Sequence, residues 1–285
     1  MQSRKLGKTD LELSVIGFGG VVVMKETQDD ANKMVAEAID AGITYFDVAP
    51  QYQDAQQRMG PALEPYRNNV SLACKTLERT AEGARNELDD SLTKLRTDHF
   101  DLYQMHSLTK TEETEQALGS GGAIEAFLEA REAGKTRYIG FSAHSEEAAL
   151  MAIESGHFDS VLFPLNFVVM EQSNFGPAVL DAANERGMGI LALKSIARTS
   201  IAEWKDRPYD KCWYAPEDRP EVAHLMLRYT LNLPGLTAAV PPGDPGMYRM
   251  TVGFIDKLDP LTDTELTQLR EAVADAQPLF PLPQA

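Results

Sequence analysis

Cysteine is scarce in this chain: two residues, Cys74 and Cys212, among 285. Two thiols do not make a disulfide scaffold, and a reducing compartment fits them. Positive charge is also in deficit, with 27 Lys and Arg against 43 Asp and Glu and a net charge of −16. That balance disfavours generic binding to a nucleic-acid backbone. The acids are spread along helix-like segments rather than gathered in a tail, so they read as a solvated surface. No apolar run approaches a membrane span, and the opening MQSRKLGKTDLELS has no apolar core of a signal peptide. A soluble, cytoplasmic protein with neither a nucleic-acid nor a membrane partner is therefore expected. Linkers and low-complexity stretches are missing too, so the chain reads as one domain over 1–285. After its first apolar run it has GFGGVVVM, which lacks the third glycine of the GxGxxG dinucleotide fingerprint and argues against a doubly wound sheet. The same stretch lacks the His-x-His of metal-dependent barrel hydrolases, and no metal site is expected.

What is present is alternation. Residues 4–14 predict a small hairpin around Gly7-Lys8-Thr9-Asp10. β-rich runs then follow at 14–19, 43–48, 70–75, 99–106, 136–142, 159–166, 188–194 and 236–241. Between them, apolar residues recur at helical spacing, as in Ala31, Met34, Val35, Ala38 and Ile39, with Gly42 as a stop. Ser145 and Gly156 bracket another such segment as N-cap and terminator. Two further helix-like segments, near 245–257 and 262–275, precede the tail PLFPLPQA. Eight strand–helix units in series predict an α/β fold, a (β/α)8 TIM barrel with an N-terminal β-hairpin and an extra C-terminal helix.

A barrel carries its site at the carboxyl ends of its strands. The second, third and fourth runs end on Asp47, Lys75 and His106, and FDVAPQY adds Tyr52 to the loop after Asp47. Singly, each has an ordinary explanation: a helix cap, a solvated charge, a core histidine, a packed ring. Together they suit proton donation to a carbonyl. A free phenol, with a pKa of about 10, is a poor acid near neutrality. A neighbouring ammonium is expected to lower that pKa, a carboxylate to hold the ammonium charged, and an imidazole to place the substrate oxygen. The set holds no obvious nucleophile, so a nicotinamide is the natural source of electrons.

The segments LGKTDLELSVIGFGG, FDVAPQY, ACK, LYQMH, IGFSAHS and GILALKS together resemble the aldo-keto reductase family over essentially the whole chain. The resemblance implies a reduced nicotinamide, usually NADPH with NADH possible, lying across the strand ends. It implies Tyr52 as general acid, Lys75 lowering its pKa, Asp47 pairing with Lys75, and His106 orienting a small-molecule aldehyde or ketone. On the cofactor side the expected contacts are Gly20, Ser142, Asn166, Leu193, Lys194, Gly243 and Arg249. Here the chain departs from the family pattern, with Ser142-Ala143 in place of Ser-Asn, Leu193 in place of an aromatic ring, and VPPGDPGMYRM after the last strand.

The polar loop 107–123 and the aromatic loop 195–217, with Trp204, Tyr209, Trp213 and Tyr214, are expected to shape the substrate pocket. His144 and His157 read as structural or surface residues, Cys74 as pointing away from Lys75, and Cys212 as exposed. A monomer or weak homo-oligomer is expected. The rival readings are a catalytically slow nicotinamide-binding regulatory protein on the same fold, like the β subunits of potassium channels, a metal-dependent hydrolase, and a Schiff-base aldolase using Lys75 or Lys194.

Overall fold

The computed structural model describes residues 1–280, so the last five residues of the tail read over 278–285 lie outside it. The strands, in chain order, are β1 (Ser3–Lys5), β2 (Glu12–Ser14), β3 (Phe18–Gly19), β4 (Tyr45–Asp47), β5 (Ser71–Thr76), β6 (Phe100–Leu108), β7 (Thr136–Ala143), β8 (Ser160–Pro164), β9 (Gly189–Leu193), β10 (Ala197–Thr199), β11 (Ala215–Pro216) and β12 (Leu236–Val240). Eight of them form one parallel sheet in the order β12-β9-β8-β7-β6-β5-β4-β3. The sheet closes on itself just before β3, where Gly17 N–H donates to the Ala239 carbonyl and Ala239 N–H to that of Val15, both at 2.9 Å. The result is the (β/α)8 barrel expected from the alternation.

Side chains in a strand alternate between faces, and here the alternation separates two cores. Tyr45, Ala73, Leu102, Leu162, Leu191 and Ala238 point into the barrel. Their neighbours Phe46, Cys74, Tyr103, Phe163, Ile190 and Ala239 belong to the larger core beneath the helices. Cys74 thus faces away from Lys75, as expected. The hairpin of β1 and β2 stoppers the amino-terminal end of the barrel with Leu6, Leu11 and Leu13, which join the interior cluster. Gly7 turns there at φ +51°, and a Cβ would lie 2.3 Å from the Gly189 nitrogen, so only glycine lets the plug seat.

Two helices lie where loops were expected. Thr111–Leu118 packs against the helices Ala123–Glu132 and Glu146–Glu154, and Phe167–Ser173 follows β8. The first has little apolar periodicity, burying only Thr114 and Ala117 along its length. The second opens with Phe167-Val168-Val169, which has the composition of a strand. Ser145 does cap its helix, accepting from the Ala148 N–H, and supplies about 1 kcal/mol in that role.

Candidate active site

The alternation that fills the barrel also builds the site. Asp47 comes two residues after inward Tyr45, Lys75 two after Ala73, and His106 four after Leu102, so all three point inward at the upper rim. They line a cleft of about 550 Å³ together with Gln51, Tyr52 and Trp213.

Lys75 and Asp47 are almost wholly buried, at 1% and 2% exposure. The Lys75 ammonium donates to Asp47 Oδ1, and the Tyr45 hydroxyl donates to Asp47 Oδ2 at 3.1 Å. Both carboxylate oxygens are therefore engaged. Burial pushes the Lys75 pKa down, but the charge of Asp47, helped by Tyr52 and the direct hydrogen bond, outweighs it and leaves the pKa raised. Lys75 is thus held as a cation. Its Nζ lies 5.5 Å from the centre of the Tyr52 ring. The Tyr52 ring meets His106 edge-on, with centroids 5.8 Å apart, and Trp213 at 6.4 Å.

The Tyr52 pKa moves against the expectation from sequence. Burial raises it, and the pull of Lys75 in the other direction does not overcome that, with Asp47 adding to the rise. Tyr52 therefore stands as a protonated phenol, a proton in place. His106 is shifted well below the usual imidazole range, first by burial and then by the neighbouring Lys75, His144, Arg79 and Lys194, and it is uncharged near neutrality.

The other side of the cleft is built from β7, β9 and the loops after β9 and β12. Ser142, Leu193, Lys194 and Gly243 line it. The Lys194 ammonium lies 2.9 Å from His144 Nε2, and His144 Nδ1 lies 3.1 Å from Ser107 Oγ. His144, expected to be a structural or surface residue, is thus part of the cleft. Burial alone takes the Lys194 pKa down to about 7. Burial, together with Lys194, takes that of His144 to about 3. Among the described residues Lys194 has no carboxylate partner. Lys211, also on the cleft, is answered by Glu26 at 2.6 Å and by the Val22 carbonyl at 2.7 Å, which ties the long loop across to the turn after β3.

Three of the expected cofactor contacts lie elsewhere. Gly20 opens a turn in which its missing Cβ makes room for Val48, while Gly19 faces the cleft. Asn166 spends its amide on the backbone, accepting from Val169 N–H at 3.1 Å and donating to the Lys194 carbonyl at 3.1 Å. Arg249 is exposed and pairs with Glu37 at 3.0 Å. The loops are also unequal. None of residues 107–123 lines the cleft: Ser107 and Leu108 finish β6, and Thr111–Leu118 folds as a helix. From the aromatic loop Trp213 and Tyr214 reach the cleft. Trp204 is 54% exposed under the Arg207 guanidinium, and the Tyr209 hydroxyl donates to Asp218. Cys212 is buried on the cleft wall rather than exposed, and burial pushes its thiol up to about 11. Sequence reasoning missed Tyr45, Gln51 and His144. The signal for Tyr45 was its place two residues before Asp47 on the same strand face.

A model of the Aldo/keto reductase family matches residues 15–239. The chain belongs to the aldo-keto reductase family. Among curated relatives, an uncharacterized oxidoreductase from Bacillus subtilis is 26% identical over 74% of this chain and 69% of its own length. An L-galactose dehydrogenase from Arabidopsis thaliana is 26% identical over 71% of this chain and 68% of its own. An aldo-keto reductase from Bacillus halodurans, solved in its holo form, superposes with a TM-score of 0.75 at 21% identity and covers 98% of both chains. As an aldo-keto reductase the protein is a nicotinamide-dependent oxidoreductase acting on a small molecule. The cleft has the chemistry for such a cofactor: largely apolar walls, and in Lys194 a partly buried amine without a carboxylate partner among the described residues, which suits the anionic linkage of a dinucleotide. No helix among the described residues is long and apolar enough to cross a membrane.

Proposed function

We propose that this aldo-keto reductase reduces an aldehyde or ketone to the alcohol, with NADPH preferred over NADH, as one barrel domain over 1–285. Tyr52 is the general acid. Lys75, held charged by Asp47, attracts the negative charge that grows on the phenol oxygen as its proton leaves. His106, uncharged, meets the substrate oxygen and places it. Trp213 and Tyr214 shape the apolar end that receives the rest of the substrate. A bound reduced nicotinamide supplies the hydride to the carbonyl carbon.

The observation that supports this reading best is the sequestered ion pair beside a protonated phenol. Lys75 and Asp47 are buried at the floor of an open cleft, and the Tyr52 ring lies within 5.5 Å of the ammonium. A buried pair of this kind contributes little to stability by itself. Next to a proton donor it keeps a positive charge where a phenolate would form.

On the cofactor side we assign Ser142, Leu193, Lys194 and Gly243 as contacts. Lys194 would answer a phosphate oxygen of the bound cofactor, and Leu193 would give the nicotinamide an apolar wall without aromatic stacking. The preference for NADPH fits a cleft whose wall carries Lys194 and Lys211, and in which the Asp244 carboxylate is turned onto its own helix, accepting from Gly246 N–H at 2.9 Å and Met247 N–H at 3.0 Å. Steady-state cofactor oxidation against a panel of aldehydes and ketones, run with each nicotinamide, tests all of this. Turnover with a lower Michaelis constant for NADPH is expected. Tight cofactor binding with no turnover across the panel would replace the enzyme with a nicotinamide-binding regulatory protein.

A further inference from the structure

Three lysines line the cleft, and they differ in what meets their nitrogen. Lys75 donates to the Asp47 carboxylate and Lys211 to that of Glu26. An ammonium paired in this way has donors only and no lone pair to offer. Lys194 faces the His144 ring instead, with Nζ 2.9 Å from Nε2, and among the described residues no carboxylate reaches it. The ring is fixed on its other sides: Nδ1 lies 3.1 Å from Ser107 Oγ, and Phe280 stacks against it with centroids 6.0 Å apart. A neutral amine that donates one N–H to Nε2 keeps its lone pair, and Lys194 is only partly buried on the cleft wall, so a ligand there can reach it. The backbone enforces this placement. Lys194 sits at φ +62°, in the left-handed region that residues other than glycine rarely adopt. Its carbonyl is pinned by the Asn166 amide at 3.1 Å and by the Ala197 N–H at 2.9 Å. Strained residues held in this manner cluster at reactive sites. Desolvation without a counter-charge leaves the amine at a pKa of about 7, so near neutrality about half of it is uncharged.

We infer that Lys194, its amine positioned by His144, is a nucleophile that captures aldehydes reversibly as an imine while the cleft holds no cofactor. The free amine attacks the carbonyl carbon and a carbon–nitrogen bond forms. The two hydrogens of the amine pass to the carbonyl oxygen, which leaves as water as the double bond to nitrogen closes. Nothing is oxidised or reduced, and no carbon–carbon bond breaks. Aldehydes are the ligand class because their carbonyl carbon is less crowded than that of a ketone. Lys194 is also the residue assigned above to a cofactor phosphate, so the imine and the cofactor exclude one another. That competition rests on the proposed reading of the cofactor site; the capture itself rests on the amine and its surroundings.

Reductive trapping tests the capture. The full chain, free of cofactor, is incubated with benzaldehyde and sodium cyanoborohydride at neutral pH, and benzylated lysines are located by peptide mass mapping. The peptide that carries Lys194 is expected to be labelled about tenfold or more faster than that of any surface lysine, a lead of at least one pKa unit in free amine. His144→Glu sets a carboxylate against Lys194 and leaves the lysine in place. Provided its circular dichroism matches the parent's, it is expected to slow labelling of Lys194 about tenfold or more. Labelling spread evenly over the surface lysines, labelling concentrated on Lys75, or a folded His144→Glu labelled like the parent overturns the inference. The parent's map needs no variant, so a misfolded substitution still leaves a decisive result. NADP⁺ is expected to suppress the labelling of Lys194. Labelling of Lys194 that NADP⁺ does not touch would sustain the capture and count against the cofactor placement instead.

Discussion

Lys75 is wholly buried and Lys194 partly so, and both face the same cleft, but their charges are met differently. Lys75 has a carboxylate against it, and the carboxylate has a tyrosine hydroxyl on its far oxygen. Lys194 has an imidazole, which can accept a hydrogen bond but cannot cancel a charge. Burial lowers the pKa of a lysine in either place. Asp47 reverses that for Lys75 and raises the pKa above its ordinary value, while Lys194 falls to about 7. The difference separates two tasks. A permanent charge suits the support of a proton donor. A charge left open suits the arrival of an anion, because the ligand itself supplies the missing partner.

The largest expected effect tests the Lys75 side. Tyr52→Phe should lower carbonyl reduction by about 10²- to 10⁴-fold and leave cofactor affinity within about twofold, measured by steady-state rates and a fluorescence titration. Parent-like rates would remove Lys75 and its neighbours from the chemistry. Asp47→Asn comes next, because it leaves the buried Lys75, like Lys194, without a counter-charge. It should cost about 3–5 kcal/mol in urea unfolding at pH 7, and the cost should shrink near pH 10 as the ammonium becomes free to lose its proton. An equal loss at both pH values would show that the ion pair is not its cause.

Lys194 gives the complementary test. Its folded-state pKa, about 7, lies below the ordinary 10.5 that it regains on unfolding. Between those values the unfolded chain binds more protons than the folded one, so this residue makes stability rise with pH across that window and exacts its full penalty below it. Lys194→Met should therefore raise the melting temperature more at pH 6 than at pH 9. The same variant should weaken cofactor binding about tenfold, the weight of a charged hydrogen bond. A parent-like pH slope would mean that Lys194 is answered as well as Lys75. A smaller effect is expected at Lys211: Lys211→Met leaves the Val22 carbonyl and Glu26 without their donor and should cost about 1–3 kcal/mol in thermal unfolding.

The barrel was legible because each strand is announced by a run of apolar residues and each turn by glycine or a cap. The two helices that were not, Thr111–Leu118 and Phe167–Ser173, show why periodicity fails. One is short, acidic and sparsely apolar, and the other has β-branched residues whose helical state is decided by the Asn166 cap and by packing. In the site, Asp47, Lys75 and His106 were readable because strand ends face one rim. The direction of the Tyr52 shift was not, since it depends on how far burial outweighs Lys75, and burial is a property of the assembled cleft. The pairing of His144 with Lys194 spans 50 residues and two strands, with no local pattern to reveal it. Gly20, Asn166 and Arg249 were plausible by position, and the fold uses them for backbone packing, capping and a surface ion pair.

The stopper at the foot of the barrel has a consequence for how the chain is made. Leu6, Leu11 and Leu13 leave the ribosome before any of the eight barrel strands, but what they plug is closed only by β12. The Lys5 carbonyl accepts from the Thr237 hydroxyl, 232 residues further on, and Arg4 donates to the Leu231 carbonyl, 227 residues away. Throughout synthesis the three leucines have no seat, and the sheet has two open edges until β12 meets the segment before β3. Contacts of such long range are slow to form, and the intermediates that wait for them expose apolar surface. A nascent chain stalled short of β12 is thus the form of this protein most in need of a chaperone.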